Sequence, residues 1–213
     1  MTRLLLRILF TVAIAGSLTG APVTHDLGQG LTYVRATTLP VDLPASQQVR
    51  ACVLDLRNAA GDETAALALS AWLKFHAAER RPVIILANGD TAAPLRVTLA
   101  ADRLPAGALT LGRPSAGFTP DIAVAVEPAA EARILALLAA GTAPADLLQE
   151  NAGKVRYDEA QMVRELAGET PSADPAKPDV PDTTKPASPP IDRTLQRAVQ
   201  VHRGLAALKR FRG

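Results

Sequence analysis

Ala51-Cys52-Val53-Leu54-Asp55-Leu56-Arg57-Asn58-Ala59-Ala60-Gly61-Asp62 is the stretch on which the reading of the fold turns. Four apolar residues run without a break, and charge enters only at Asp55 and Arg57. A continuous apolar run of this length, closed by a small-residue loop, suits a strand buried on both faces of a parallel sheet. Working outward, residues 63–80 hold neither Gly nor Pro, are rich in Ala and Leu, and open on an acidic residue. That pattern predicts a long helix, with Glu63 complementing its dipole. Residues 82–87 (PVIILA) predict a second buried strand, and Asn88-Gly89-Asp90 a turn. Strand, helix, strand is the unit of a parallel sheet with helical crossovers.

The same reading extends to both sides. Residues 31–36, 108–111 and 122–126 predict further short strands, and residues 129–140 and 158–167 further helices. Thr91 is placed to cap a short helix over residues 92–101, with Pro94 tolerated in its first turn. Aromatic residues make up only 3% of the chain, so the core must be built from Ala, Leu and Val around Tyr33, Trp72 and Phe75. Cys52 is the only cysteine, which excludes an intramolecular disulfide, and its apolar neighbours predict a buried, inert thiol.

The two ends differ from the middle. Residues 1–20 carry Arg3 and Arg7, an apolar run over 8–15 and a close of small residues, as a signal peptide does. The run is short for a membrane-spanning helix, and an uncleaved N-terminal anchor is the alternative. Both imply an exported, periplasmic or cell-envelope protein. Residues 21–168 form the expected α/β domain, and residues 169–191, rich in Pro, an extended linker. Residues 192–213 predict a basic amphipathic helix with Leu195, Val199, His202, Leu205 and Leu208 near one face. Such a helix can dock on its own domain, grip a partner or lie on a membrane surface. The net charge of +2 comes wholly from Arg3 and Arg7 of the first segment, which excludes a strong nucleic-acid footprint. His25, His76 and His202 lack metal-ligand spacing, and nothing in the sequence points to a metal or a cofactor.

Three segments in order resemble the tail-specific, or C-terminal processing, serine peptidases. Residues 53–62 are similar to their DLRxNxGG strand and loop, residues 82–93 to their PVVVLVNxxTASASE segment, and residues 112–118 to their GExTxGK. Residues 30–35 are similar to their GYIRI strand, and Thr119-Pro120-Asp121-Ile122 with Glu131 to the end of their core. The resemblance covers about residues 30–140. It implies an α/β fold of crotonase type, a superhelix of short strands and helices, here with a C-terminal helix beyond the Pro-rich linker.

That family's chemistry needs a Ser nucleophile, a Lys general base and two backbone N–H groups for the oxyanion. Carried over residue by residue, the nucleophile falls on Ala93 and the base on Phe118. The residue after the nucleophile is Pro94, which has no N–H. Gly61 remains as an oxyanion-type donor, and Asn58, Gly61, Asn88 and Gly117 as binding candidates. Thr91 is the substitute nucleophile, with the N-cap role as its alternative, and Ser115 reads as a turn residue. Asp55 and Arg57 read as a structural ion pair. The expectation is a peptidase-like protein that no longer cleaves and binds an extended peptide or protein partner. The alternatives are an active serine- or threonine-type peptidase with a rearranged site, and a structural envelope protein that works through its basic helix.

Overall fold

The apolar run at residues 51–54 becomes the centre of a sheet because both of its faces find partners. A computed structural model describes residues 24–45, 50–148 and 190–211. Within them six strands run in sequential order: β1 (Thr24–Asp26), β2 (Leu31–Arg35), β3 (Ala51–Asp55), β4 (Val83–Leu86), β5 (Ala108–Gly112) and β6 (Ile122–Ala123). β1 is antiparallel to β2, and every other pair is parallel, with Cys52 opposite Val83 and Val83 opposite Ala108.

Side chains alternate across the sheet, as strand geometry requires. Val34, Cys52, Leu54, Val83 and Ile85 face one side, where they pack with α1 (Glu63–Ala78) and α2 (Ala93–Thr98). Tyr33, Val53, Ile84, Leu86 and Leu111 face the other side, where Leu195, Ala198 and Val199 of a C-terminal helix cover them. That helix, α4, spans Arg193–Phe211. The layers are therefore helices, sheet, helix. α1 turns Ala65, Leu69, Trp72, Leu73 and His76 inward at helical spacing, and Asp62 caps it by accepting from the Ala65 N–H at 2.9 Å. α3 (Pro128–Ala139) and a 3₁₀ turn (Pro144–Leu147) complete the described elements.

α4 docks on the sheet through its first half. Leu205 and Leu208, expected on the same apolar face, are exposed instead, because α4 outruns the sheet that covers its start. Phe75 is also exposed at 38%, and Phe118 joins Trp72 and Tyr33 as a large aromatic anchor instead. The helix expected over 92–101 is shorter, and its cap residue is Ala92, with no side-chain bond, rather than Thr91. The expected linker (except its last residues) and the helix over 158–167 lie outside the described residues, as do residues 1–23.

Gly112 shows how tightly the parallel strands are joined to their loops. A Cβ there would overlap the Ala87 carbonyl oxygen, so no other residue fits at the end of β5.

A buried charge cluster ties α4 to the sheet. The Arg57 guanidinium donates from Nε and Nη2 to Asp55, at 2.9 and 2.6 Å, and from Nη1 and Nη2 to Asp192, at 3.1 and 2.7 Å. The Tyr33 hydroxyl donates to Asp55 Oδ2 at 2.7 Å. Asp192 also caps α4, accepting from the Leu195 N–H at 3.0 Å. Burial alone would raise the Asp55 pKa, but the Arg57 charge and the hydrogen bonds from Arg57 and Tyr33 hold it below the usual carboxylate range. Burial and the Asp55 carboxylate push the Tyr33 pKa up, so its hydroxyl stays a donor.

Asp55 still balances the Arg57 charge when Asp192 is removed, but buried guanidinium N–H groups lose their acceptor, at roughly 1–3 kcal/mol, and α4 loses its cap, at about 1 kcal/mol. Asp192→Ala is therefore expected to lose about 2–4 kcal/mol in urea unfolding, and Asp192→Asn, which can keep the cap, somewhat less. A loss below about 1 kcal/mol in both, the scale of an exposed pair, would contradict the clamp.

His76 gives a second expectation. Its ring lies 3.9 Å from that of Trp72, and neither ring nitrogen has a hydrogen-bond partner among the described residues. Burial first, and then the Arg81 charge, lower its pKa. The unfolded chain therefore binds a proton at a pH where the folded chain does not. His76's share of stability is full above about pH 6.5 and declines as pH falls toward the folded value. Urea midpoints measured between pH 7.5 and 5.5 should drop in the parent and drop less in His76→Leu. Equal drops would contradict this.

Candidate functional site

The carboxyl ends of parallel strands are where ligands and chemistry gather in α/β sheets. Here the ends of β3 and β4 are stitched together by one side chain, Asn88. Its Oδ1 accepts from the N–H groups of Asn58 (3.2 Å), Asp90 (3.2 Å) and Thr91 (3.1 Å), and its Nδ2 donates to Asn58 Oδ1 at 2.8 Å. The arrangement works because Asn58 takes a left-handed backbone, φ 59°, which Asn tolerates better than most residues.

Thr91 sits inside this cluster, 1% exposed. Its hydroxyl donates to the Leu56 carbonyl at 2.8 Å and accepts from the Asn88 N–H at 3.2 Å. The proton that a general base would remove is thus held by a main-chain oxygen. The N-cap role does not describe this geometry: the hydroxyl spans two strand ends. Ala92, directly after it, spends its N–H on the Ala59 carbonyl at 2.9 Å.

The other candidates gather around the start of α2. Ala93 is the first residue of that helix and Pro94 the second. Gly61 lies against it: a Cβ there would sit 3.2 Å from the Leu95 side chain and 3.0 Å from Ala65 Cβ. Phe118 is 4% exposed and packs in the same apolar cluster as Leu95. It closes a tight turn in which Ser115 and Phe118 exchange main-chain hydrogen bonds. Gly117 supplies the left-handed residue of that turn, φ 74°, and Arg96 donates to the Ala116 carbonyl at 3.0 Å, fastening the turn to α2. Ser115 Oγ rests against Gly89 with no hydrogen-bond partner among the described residues.

The structure therefore brings Asn58, Asn88 and Thr91 into one hydrogen-bonded cluster and places Gly61, Ala93, Phe118 and Gly117 around α2. Cys52 is buried elsewhere, in the middle of β3, and burial pushes its thiol pKa up to about 12. Among the described residues no group of three or more His, Cys, Asp or Glu is placed to hold a metal ion.

Sequence reasoning missed two features. Asp192 joins Arg57 across 135 residues, and nothing local signals it, because Asp55 and Arg57 already neutralise one another on paper. A cavity of about 660 Å³ opens beside this cluster, lined by Arg57, Arg113, Glu131 and Asp192 among apolar residues. No protein-family model matches the chain, and no curated protein matches it.

Thr91→Val keeps the shape of the side chain and removes its hydroxyl. It leaves the buried Asn88 N–H without its partner, for a cost of roughly 1–3 kcal/mol, while the Leu56 carbonyl keeps the Ala59 N–H at 2.9 Å. Thermal unfolding should show that loss, and a variant as stable as the parent would contradict the bridging role.

Proposed function

We propose that this chain is a peptidase-like protein that does not cleave, and that it binds an extended peptide or a protein partner outside the cytoplasm. The observation that carries the reading is the state of the chemistry-bearing positions. Ala93 has no nucleophilic atom, Pro94 has no N–H to offer an oxyanion, and Phe118 presents a buried ring where a base would stand. The neighbouring hydroxyl, Thr91, is spent on holding two strand ends. A crotonase-type superhelix accounts for sequential parallel strands with α1 and α2 on one face, and the order of the resembling motifs supports it.

Export rests on the opening of the sequence, where Arg3 and Arg7 precede the apolar run over 8–15. Among the described residues no helix is long and apolar enough to cross a membrane. The far half of α4 favours a second reading, contact with a membrane surface. Leu205 and Leu208 are exposed there beside Arg203.

The purified chain should leave an unfolded protein substrate intact over many hours, as followed by mass spectrometry, and a fluorophosphonate should label neither Thr91 nor Ser115. Cleavage by the parent that Thr91→Ala abolishes would replace this reading with that of an active threonine-type peptidase.

A further inference from the structure

The cavity beside the charge cluster has two polar groups whose hydrogen bonding is unfinished. Glu131, in the first turn of α3, is 3% exposed, and its Oε1 has no hydrogen-bond partner among the described residues. Arg113 Nε is likewise buried and unpartnered. The two side chains meet only at 3.6 Å, Nε to Oε2, which is beyond a good hydrogen bond. Arg57 also lines this space, and its contacts with Asp55 and Asp192 leave it little to give a ligand.

Buried donors and acceptors are rarely left without partners, and where they are, a ligand is one explanation. The chemistry of the pair narrows that ligand. Arg113 needs an acceptor and Glu131 needs a donor, side by side. An anion would meet Glu131, and a cation would meet Arg113. A neutral group with an N–H next to a C=O satisfies both without placing like charges together, and that group is the amide. The rest of the wall is apolar: Pro114, Val124, Val126, Ile134, Pro190 and Ile191. The volume of about 660 Å³ suits a bound side chain with its flanking backbone.

The adjoining main chain supplies more. β6 is the edge of the sheet among the described residues. After it the Val124 N–H donates to the Gly112 carbonyl at 2.9 Å, and the backbone of Ala125 and Val126 makes no hydrogen bond to another described residue. Both line the cavity. An extended peptide can add to such an edge while its alternate side chains enter a pocket.

We propose that the cavity between β6, α3 and the start of α4 binds an extended peptide, an apolar side chain filling it and a backbone amide bridging Arg113 and Glu131. This rests on the peptide-binding reading above and locates it away from the Asn58–Asn88–Thr91 cluster.

The test is an amide ¹H–¹⁵N NMR titration of the full chain with end-capped acetyl-Ser-Val-Leu-Val-Ser-amide, and with free leucine in parallel. Shifts should concentrate at residues 113, 124–127 and 130–134. Arg113→Ala and Glu131→Leu, each checked for a parent-like spectrum elsewhere, should weaken binding at least fivefold. Peptide-induced shifts confined to Asn58, Gly61 and Asn88 would overturn this site while keeping the peptide reading. Shifts at the cavity from leucine and none from the capped peptide would overturn the amide in favour of a zwitterion. No shift with either probe would overturn both readings, and unchanged affinity in both variants would overturn the roles of Arg113 and Glu131.

Discussion

Arg57 stands between two carboxylates, Asp55 from the end of β3 and Asp192 from the start of α4, with all three side chains buried. A guanidinium has five N–H donors in a rigid fork, and the two carboxylates accept along both of its free edges. Desolvation opposes the charges of Asp55 and Arg57, and their pairing is what keeps both ionised. The cluster fixes where β3 ends, where the Tyr33 hydroxyl of β2 points and where α4 begins. The apolar face that α4 covers, with Val53, Ile84 and Leu86 beneath Leu195 and Val199, depends on that docking.

A few ångströms along the chain the same logic repeats with neutral groups. Asn88 and Thr91 satisfy main-chain donors and acceptors at the ends of β3 and β4, where the ladder can no longer do so. A nucleophile must have its proton free to leave toward a base. A hydroxyl held by the Leu56 carbonyl is instead part of the frame. At the ends of β3 and β4, Asn88 and Thr91 thus hold the frame together. Unmet hydrogen-bonding capacity remains at Ser115 Oγ beside Gly89 and, to the side, at Arg113 and Glu131.

Much of this architecture was legible where a residue's environment is set by its neighbours in sequence. Residues 51–54 and 83–86 are apolar without a break because both faces are covered, and they read as buried strands. The sixteen residues of α1 lack Gly and Pro and carry their own cap in Asp62. β1 was not legible: Thr-His-Asp is polar and short, and it is a strand only because β2 offers it an edge. The strand expected over 122–126 stops at Ala123, opposite Gly112, where its partner β5 ends. Thr91 precedes Ala and Pro as a cap would, but a carbonyl from residue 56 competes successfully for its hydroxyl. Leu205 and Leu208 continue the apolar stripe of α4 past the surface that receives it. The candidate site was legible as a set of positions, and its use was not, because Asp192 and the Arg113–Glu131 cavity arise from residues far apart in the chain.

The account stands on the strand ends and α4 forming one cooperative lock, and native-state hydrogen exchange tests that most directly. The amides of Asn58 and Thr91 bond to Asn88, and that of Leu195 bonds to Asp192. All three should open only with the central amides of β3, at the free energy of global unfolding. Opening of Asn58 and Thr91 at several kcal/mol below that value, as a mobile active-site loop shows, would contradict the lock and return these residues to candidacy for chemistry.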